Sequence, residues 1–123
     1  MQGLEEAPMK VKRIVANIAA ADVAPAEQFY GKVLGLDILM DHGWIRTYGN
    51  GEKMTVQVGI ASEGGSGTAV PQLSIEVDDF DAALDRCRKA AIPIEYGPAH
   101  ERWGVRRFYV RDPFGNLVNI LQH

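Results

Sequence analysis

Polar side chains recur at alternate positions in several segments whose pattern predicts β-strands. Since successive side chains of a strand point to opposite faces, each such set shares one face. Amide and hydroxyl groups there can hydrogen-bond a small molecule, two guanidinium groups can clamp a carboxylate or phosphate, and indole rings can stack on a flat ligand. The candidate ligand-binding residues are Arg13, Asn17, Trp44, Gln57, Gln72, Ser74, Glu76, Trp103, Arg107, Tyr109 and Asn119.

The sequence shows no nucleophilic triad. Ser74 has no histidine near it in the predicted register, and Cys87, the single cysteine, falls on the predicted buried face of a helix. Glu76 and Tyr109 could form an acid–base pair, with Arg13 or Arg107 stabilising an oxyanion. Nothing in the pattern singles out this pair, so the catalytic residues stay unassigned.

The second half of the chain repeats the first half. The strand-like segment that begins at Arg13 recurs at Gln72, and the same offset of 59 residues separates Trp44 from Trp103. A repeat of this size is a whole supersecondary module, and two copies usually bury their cores against one another. Such a pair often leaves a cleft where a ligand binds.

The elements predicted in each module follow the order βαβββ. We expect a disordered tail over 1–9, modules over 10–62 and 70–123, and a flexible glycine-rich linker between them. In the first module the strands are expected over 11–18, 36–40, 44–48 and 54–61, with a helix after Asp22 that buries one apolar face. In the second they are expected over 72–77, 92–96, 104–111 and 117–121, with a helix capped by Asp79 and a type I turn over 112–115.

Strand alternation separates an apolar face from a mixed face. On the first strand Ile14, Ala16 and Ile18 share the apolar face, and on the fifth Ile75 and Val77 do so. We expect the apolar faces to pack on the helices and the mixed faces to line a concavity. The alternative is a sheet whose second face is simply solvated.

Composition limits the class of partner. The 123 residues carry a net charge of −3 with no basic patch, which argues against nucleic acid as a partner. The apolar runs are too short to span a bilayer, and the N-terminus has no signal-peptide pattern. A single cysteine fits a reducing compartment, so we expect a cytoplasmic protein that does not act at a membrane.

Three segments in this order resemble the glyoxalase, bleomycin-resistance and ring-cleavage dioxygenase superfamily, also called the vicinal oxygen chelate proteins. They begin at Phe29-Tyr30, at Ile75-Glu76-Val77 and at Phe108-Tyr109-Val110, the last continuing through Asp112-Pro113-Phe114-Gly115-Asn116. The resemblance covers roughly 10–123. It implies an α+β fold in which two βαβββ modules curve into an open, cup-like barrel with the helices outside, and it implies a homodimer.

Metal-using relatives hold a divalent ion through histidine, glutamate or glutamine side chains on the first, fourth, fifth and eighth strands. The resemblance places Arg13, Gln57, Gln72 and Asn119 at these positions, with Asn119 where a glutamate is usual. Transition metals prefer imidazole, thiolate or carboxylate ligands, and a guanidinium repels a cation. We therefore expect no metal and no other cofactor. The histidines, His42, His100 and His123, are expected to be exposed without a catalytic role.

The resemblance and the lining residues together predict a metal-free protein that binds a small polar, anionic or aromatic molecule in the barrel cup. One alternative is an enzyme, a lyase, isomerase or dioxygenase of the same superfamily acting on a small metabolite. Another is an interaction module without a ligand. The predicted pair of arginines favours an anionic or neutral ligand over a cationic one.

Overall fold

The computed structural model describes residues 8–51 and 57–123. Most of the predicted tail and the start of the predicted fourth strand, residues 54–56, therefore lie outside the described residues. The chain forms two compact units. The first unit is Val15–Gln72, and the second is Leu73–His123 together with residues 8–14.

The first unit contains a βαβββ module. Its strands are β1 (Val11–Ala19), whose first residues group with the second unit, β2 (Asp37–Asp41), β3 (Ile45–Gly49) and β4 (Gln57–Ala61), and a short π-helix spans Glu27–Val33. The strands lie in the order β2-β3-β4-β1. β1 runs parallel to β4, and the other two pairings are antiparallel.

The second unit repeats this arrangement. Its elements are β5 (Leu73–Val77), helix α1 (Phe80–Lys89), β6 (Tyr96–His100), β7 (Arg106–Arg111) and β8 (Leu117–Gln122). The strands lie in the order β5-β8-β7-β6, with β5 parallel to β8 and the rest antiparallel. The predicted α+β fold with a duplicated βαβββ module is confirmed.

Helix α1 packs on β5, β7 and β8 and shares one apolar cluster with them. The cluster consists of Val77, Phe80, Ala83, Leu84, Phe108, Val110 and Val118. The rings of Phe80 and Phe108 meet edge to face with centroids 5.4 Å apart, a favourable aromatic geometry. Ile75 and Met9 pack at its margin, so the last residue of the predicted tail contacts the core. Cys87 also lies there, and burial raises the pKa of its thiol.

The start of α1 is held by two side chains. Asp79 accepts a hydrogen bond from the Ala82 amide at 3.0 Å, which confirms it as the predicted cap. Gln122, on β8, accepts from the Phe80 amide at 2.7 Å and donates to the Asp78 carbonyl at 2.9 Å. The helix is therefore tied to the last strand through polar as well as apolar contacts.

Neither helix of the described residues is long and apolar enough to cross a membrane.

The apolar face predicted for the first-module helix is only partly buried. Ala26 and Tyr30 pack near the buried Tyr48 and Ile60, whereas Phe29 and Val33 are 52% and 63% exposed. The helix has wide turns, as the Leu34 amide bonds to the Phe29 carbonyl five residues earlier at 2.9 Å. In a helix with wide turns, each residue is rotated about the helix axis by a smaller angle than in an α-helix. Apolar residues at α-helical spacing therefore do not all lie on one face.

The expected burial of β1 is also wrong. Ile14 and Ile18 are exposed, while Val15 on the other face is buried. The π-helix is only seven residues long and lies against Tyr48 of β3, with the Tyr30 and Tyr48 ring centroids 5.9 Å apart. A helix this short leaves much of the β1 strand uncovered.

The predicted strand over 92–96 is wrong, and the strand lies four residues later. Pro93 has no amide hydrogen to donate to a ladder. Ile94 packs against the α1 cluster, and the ladder to β7 begins with a hydrogen bond from the Glu95 amide to the Tyr109 carbonyl at 2.8 Å. Gly97 and Pro98 are residue types that usually interrupt strands. They are accommodated within β6 because its register with β7 is irregular between Tyr96 and Ala99.

The glycine-rich segment over 63–67 is a hydrogen-bonded loop rather than the open chain expected of a tether. The Gly64 amide donates to the Thr68 carbonyl at 2.8 Å, and the Gly67 amide donates to the Glu63 carboxylate at 3.0 Å. The Thr68 hydroxyl donates back to the Gly65 carbonyl at 2.7 Å. These bonds give the segment a defined conformation of its own.

The predicted turn at 112–115 is present and joins β7 to β8. The Gly115 amide donates to the Asp112 carbonyl at 3.1 Å. The Asp112 carboxylate accepts bonds from the Asn116 side chain, the Asn116 amide and the Phe114 amide, each at 2.9 Å. These bonds, with the Asn116 side chain contributing most, lower the pKa of Asp112.

An Asn116→Ala variant is expected to raise the pKa of Asp112 towards its ordinary value. Because the folded-state pKa is depressed, the turn contributes stability above the unfolded-state pKa and loses it as the pH falls through the folded-state pKa. The variant should thus be less stable than the parent at neutral pH, with the difference vanishing in acid. Carboxyl NMR titration and urea unfolding across pH measure both effects. Phe114→Ala, which keeps the backbone donor, is the control, and an equal pKa change there would contradict the assignment.

Candidate functional site

The strand registers of the second unit bring five candidate site residues to one face of its sheet. On β8, Asn119 lies opposite Ser74 of β5 and Tyr109 of β7. Phe108, Val110 and Val118 point to the α1 cluster, so their neighbours along the strands point away from it. We call this side of the sheet the polar face; it is formed by Ser74, Glu76, Arg107, Tyr109 and Asn119.

A buried ion pair lies on the polar face. Arg107 Nε donates to Glu101 Oε2 at 2.7 Å, and the two side chains are only 4% and 8% exposed. The Tyr96 hydroxyl donates to the same Glu101 oxygen at 2.7 Å, and Arg107 Nη1 donates to the Tyr109 hydroxyl at 2.9 Å. Charges this deep are tolerated when they are paired and hydrogen-bonded, as these are.

Three aromatic rings surround the Arg107 guanidinium. Its central carbon lies 5.1 Å from the ring centroids of Trp103 and Tyr109 and 5.3 Å from that of Tyr96. The rings of Tyr96 and Tyr109 also contact one another, with centroids 5.2 Å apart. A cation within about 6 Å of a ring centroid is attracted to the ring face, so Arg107 holds the three rings in place.

Asn119 contributes a buried amide beside this network. It is 7% exposed, and its Nδ2 donates to the Ser74 hydroxyl at 3.2 Å. Its Oδ1 is buried and accepts no hydrogen bond from the part of the chain that the structure describes. Buried acceptors are nearly always satisfied, so an unpaired one points to a group that the protein alone does not supply.

Arg13 is paired at the other end of β5. Its Nε donates to Glu76 Oε1 at 2.6 Å, and Lys12 Nζ lies 3.8 Å from Glu76 Oε2. Both oxygens of the Glu76 carboxylate therefore lie beside a cation. Arg13 and Glu76 therefore form an ion pair, as Arg107 and Glu101 do. Because each arginine has a carboxylate partner, the structure does not support the predicted clamp of two arginines on an anionic ligand.

The remaining candidates lie in the first unit. Asn17 lies opposite Gly59, and its side-chain Oδ1 occupies the space that a Cβ on Gly59 would need. The backbone amide of Asn17 donates to the Gln72 carbonyl at 2.9 Å. Gln57 opens β4 opposite Gly49. The Trp44 ring stacks on His42, with centroids 6.0 Å apart. These residues are thus not part of the polar face.

Glu101 and Tyr96 were missed by the sequence reasoning. Tyr96 was placed at the end of a strand that the structure shifts by four residues. Glu101 precedes Trp103 in the connection between β6 and β7. Because it is only a few residues from the arginines of β7, the sequence could have predicted an ion pair there.

The residues at the family's metal positions do not fit a divalent ion. Arg13 is a cation held against Glu76, and the other three positions carry amides, which are weak neutral ligands. Within 8–51 and 57–123, no group of three or more histidine, cysteine, aspartate or glutamate side chains is placed to hold a metal. The groups on and beside the polar face are hydrogen-bonding side chains and aromatic rings.

Comparison with known proteins gives a family match and several similar folds. The model of the Glyoxalase/Bleomycin resistance protein/Dioxygenase superfamily matches residues 10–120. No curated protein matches the chain. A superfamily member from Vibrio splendidus 12B01 has a TM-score of 0.61 and 20% identity, covering 93% of this chain and 100% of that one.

Two other solved structures share the fold. An NAD-dependent benzaldehyde dehydrogenase structure from Legionella pneumophila has a TM-score of 0.73 and 17% identity, covering 89% of this chain and 98% of that one. A Streptomyces coelicolor methylmalonyl-CoA epimerase variant has a TM-score of 0.66 and 16% identity, covering 92% and 95%. Such identities show the fold alone. The family match, which spans most of the chain, shows that this protein belongs to the Glyoxalase/Bleomycin resistance protein/Dioxygenase superfamily.

Proposed function

We propose that this protein binds a small polar or aromatic molecule at the polar face, without a metal ion. The observation that carries the proposal is the unpaired, buried Oδ1 of Asn119 beside a rigid set of hydroxyl and aromatic groups. A binding site needs a few polar groups held in a fixed orientation among apolar surfaces. The ion pair of Arg107 and Glu101 provides that rigidity, because it fixes Tyr96, Tyr109 and Trp103 around itself.

Binding is favoured over acid–base catalysis by the state of Glu76. A general base needs a carboxylate that can reach the proton it abstracts. Glu76 is instead engaged by Arg13 at 2.6 Å and has Lys12 at 3.8 Å. Catalysis as a lyase, isomerase or dioxygenase remains the alternative, and the epimerase structures of the same fold make methylmalonyl-CoA the first substrate to assay.

The proposal includes a homodimer in the cytoplasm with no nucleic-acid partner. Support for the dimer comes from apolar side chains of the first unit that stay exposed, among them Phe29, Val33 and Leu34. Exposed apolar patches commonly mark protein–protein contacts. Support for the absence of nucleic-acid binding comes from the net charge of −3.

A thermal-shift screen tests the proposed binding. A ligand that binds only the folded state stabilises it by about 2.7 kcal/mol at a hundred times its Kd, so at least one class of small acid, amide, alcohol or thioester is expected to raise Tm. The shift should shrink in Asn119→Leu and persist in Asp85→Ala, a change on the exposed surface of α1. A full screen without a shift, or a shift equal in both variants, would contradict binding at the polar face.

A further inference from the structure

Each of the two candidate arginines has a carboxylate partner. Arg107 is paired with Glu101 at 2.7 Å, and Arg13 is paired with Glu76 at 2.6 Å. A carboxylate or phosphate arriving at Arg107 would lie close to the buried Glu101 carboxylate as well. Like charges repel strongly where water is excluded, so an anionic ligand is disfavoured.

A cationic ligand is disfavoured because the aromatic side chains that would bind it already surround a cation. Tyr96, Trp103 and Tyr109 would be the aromatic surfaces for such a ligand, and all three face the Arg107 guanidinium. A second cation there would be repelled by the first. The surroundings of Arg107 therefore favour a ligand of no net charge.

Asn119 specifies the kind of hydrogen bond that the ligand must make. Its Nδ2 end is engaged by Ser74 at 3.2 Å, which leaves the Oδ1 acceptor for an outside donor. A buried unsatisfied acceptor costs about 1–3 kcal/mol, and a ligand donor recovers that cost on binding.

We infer that the polar face selects an uncharged ligand with an N–H or O–H group that donates to Asn119 Oδ1, the chemistry of a neutral amide. This inference rests on the proposed function, since it names the ligand class of the same site. It replaces the anionic ligand that unpaired arginines would favour.

Four compounds with the same ring test the inference by NMR titration of the full chain. Benzamide is neutral and donates, methyl benzoate is neutral and only accepts, benzoate is an anion, and benzamidine is a cation that donates. Benzamide is expected to bind about tenfold more tightly than each of the others, the value of one well-placed buried hydrogen bond. Shifts should centre on the amides of Tyr109 and Asn119.

Two variants link the preference to Asn119. Asn119→Leu keeps the approximate size and removes the acceptor, so the affinity for benzamide should fall about tenfold while that for methyl benzoate is unchanged. Asn119→Asp keeps an acceptor and adds a negative charge, so the preference should shift to benzamidine. Asp85→Ala, on the surface of α1, should leave all four affinities as they are.

The outcomes separate the inference from the proposed function. If benzoate or methyl benzoate binds as tightly as benzamide at these residues, the ligand class is wrong while binding at the polar face stands. If no probe binds and the thermal-shift screen is also negative, the proposed function fails. If benzamide binds best but Asn119→Leu has no effect, Asn119 is not the recognition residue and the inference is overturned.

Discussion

Replacing Arg107 by alanine is expected to lower the free energy of unfolding by about 3–5 kcal/mol, because it leaves the Glu101 carboxylate buried without its cation. The pair has an Nε to Oε2 distance of 2.7 Å and exposures of 4% and 8%. The variant also removes the cation at the centre of the three aromatic rings and the donor to the Tyr109 hydroxyl. Urea unfolding monitored by tryptophan fluorescence measures the change.

The chain offers a matched control for burial. Arg111 and Glu95 make a pair with the same atoms and the same 2.7 Å distance, but their side chains are 48% and 40% exposed. Arg111→Ala should cost far less than Arg107→Ala, since solvent screens an exposed pair. Similar losses in the two variants would show that burial of the Arg107 pair does not set its contribution.

A second pair of variants separates removal of a charge from removal of the whole pair. Glu101→Gln should destabilise through the unpaired guanidinium, and the double variant Arg107→Met with Glu101→Met should recover much of the stability. Replacing both members of a buried ion pair by apolar side chains of similar volume is often neutral or stabilising. The double variant should nevertheless lose ligand binding, because the rings and the Tyr109 hydroxyl are no longer held.

Gly97→Ala is expected to lower the free energy of unfolding by about 3 kcal/mol, combining a strained backbone with an overlap that neighbouring atoms must relieve. Gly97 has a φ of +82°, and an added Cβ would lie 2.7 Å from the Arg107 carbonyl oxygen and 2.9 Å from the Ala99 amide nitrogen. Both contacts are backbone atoms of β6 and β7, so the two strands would have to separate. Tyr96, next in the chain, would shift with them.

Gly104→Ala serves as the comparison for Gly97→Ala. Gly104 has a similar φ of +93°, and among the described residues no atom lies within 4 Å of its added Cβ. It should cost only the backbone strain, about 1–2 kcal/mol. Near-ultraviolet circular dichroism should report the displaced Tyr96 ring in the Gly97 variant alone. Equal losses of stability in the two variants would show that the close approach of β6 to Arg107 is unimportant.

Most of the element order could be predicted from local pattern. Alternation marked β5 and β8, and Asp79 and Asp112 were recognisable as a helix cap and a turn residue, because each role depends on residues a few positions away. The prediction of a strand over 92–96 is wrong because the apolar residues around Pro93 have a composition that also suits a strand. Its true position follows from the pairing of Tyr96 with Tyr109, which is a long-range contact.

The residues of the polar face could be anticipated in the same way. The period of two placed Ser74 and Glu76 on one face of the fifth strand and Asn119 on one face of the eighth. The strand registers bring them together with Arg107 and Tyr109, which are also sequence candidates. The sequence already favours an ion pair between Glu76 and Arg13, whereas the Glu101 partner of Arg107 could not be named from it. Each guanidinium has a carboxylate partner whose proximity depends on how separate segments pack.

The sequence by itself determined the family, the duplicated module and the residue types of the polar face, since these follow from spacing and side-chain chemistry along the chain. The tertiary structure alone decided how the charges of the polar face are paired and which buried polar atom, Asn119 Oδ1, accepts no hydrogen bond from the described residues. The physical reason is that electrostatic and hydrogen-bond energies depend on distances between groups far apart in sequence. Glu101 neutralises Arg107 and Ser74 engages one end of Asn119 only because folding brings them together.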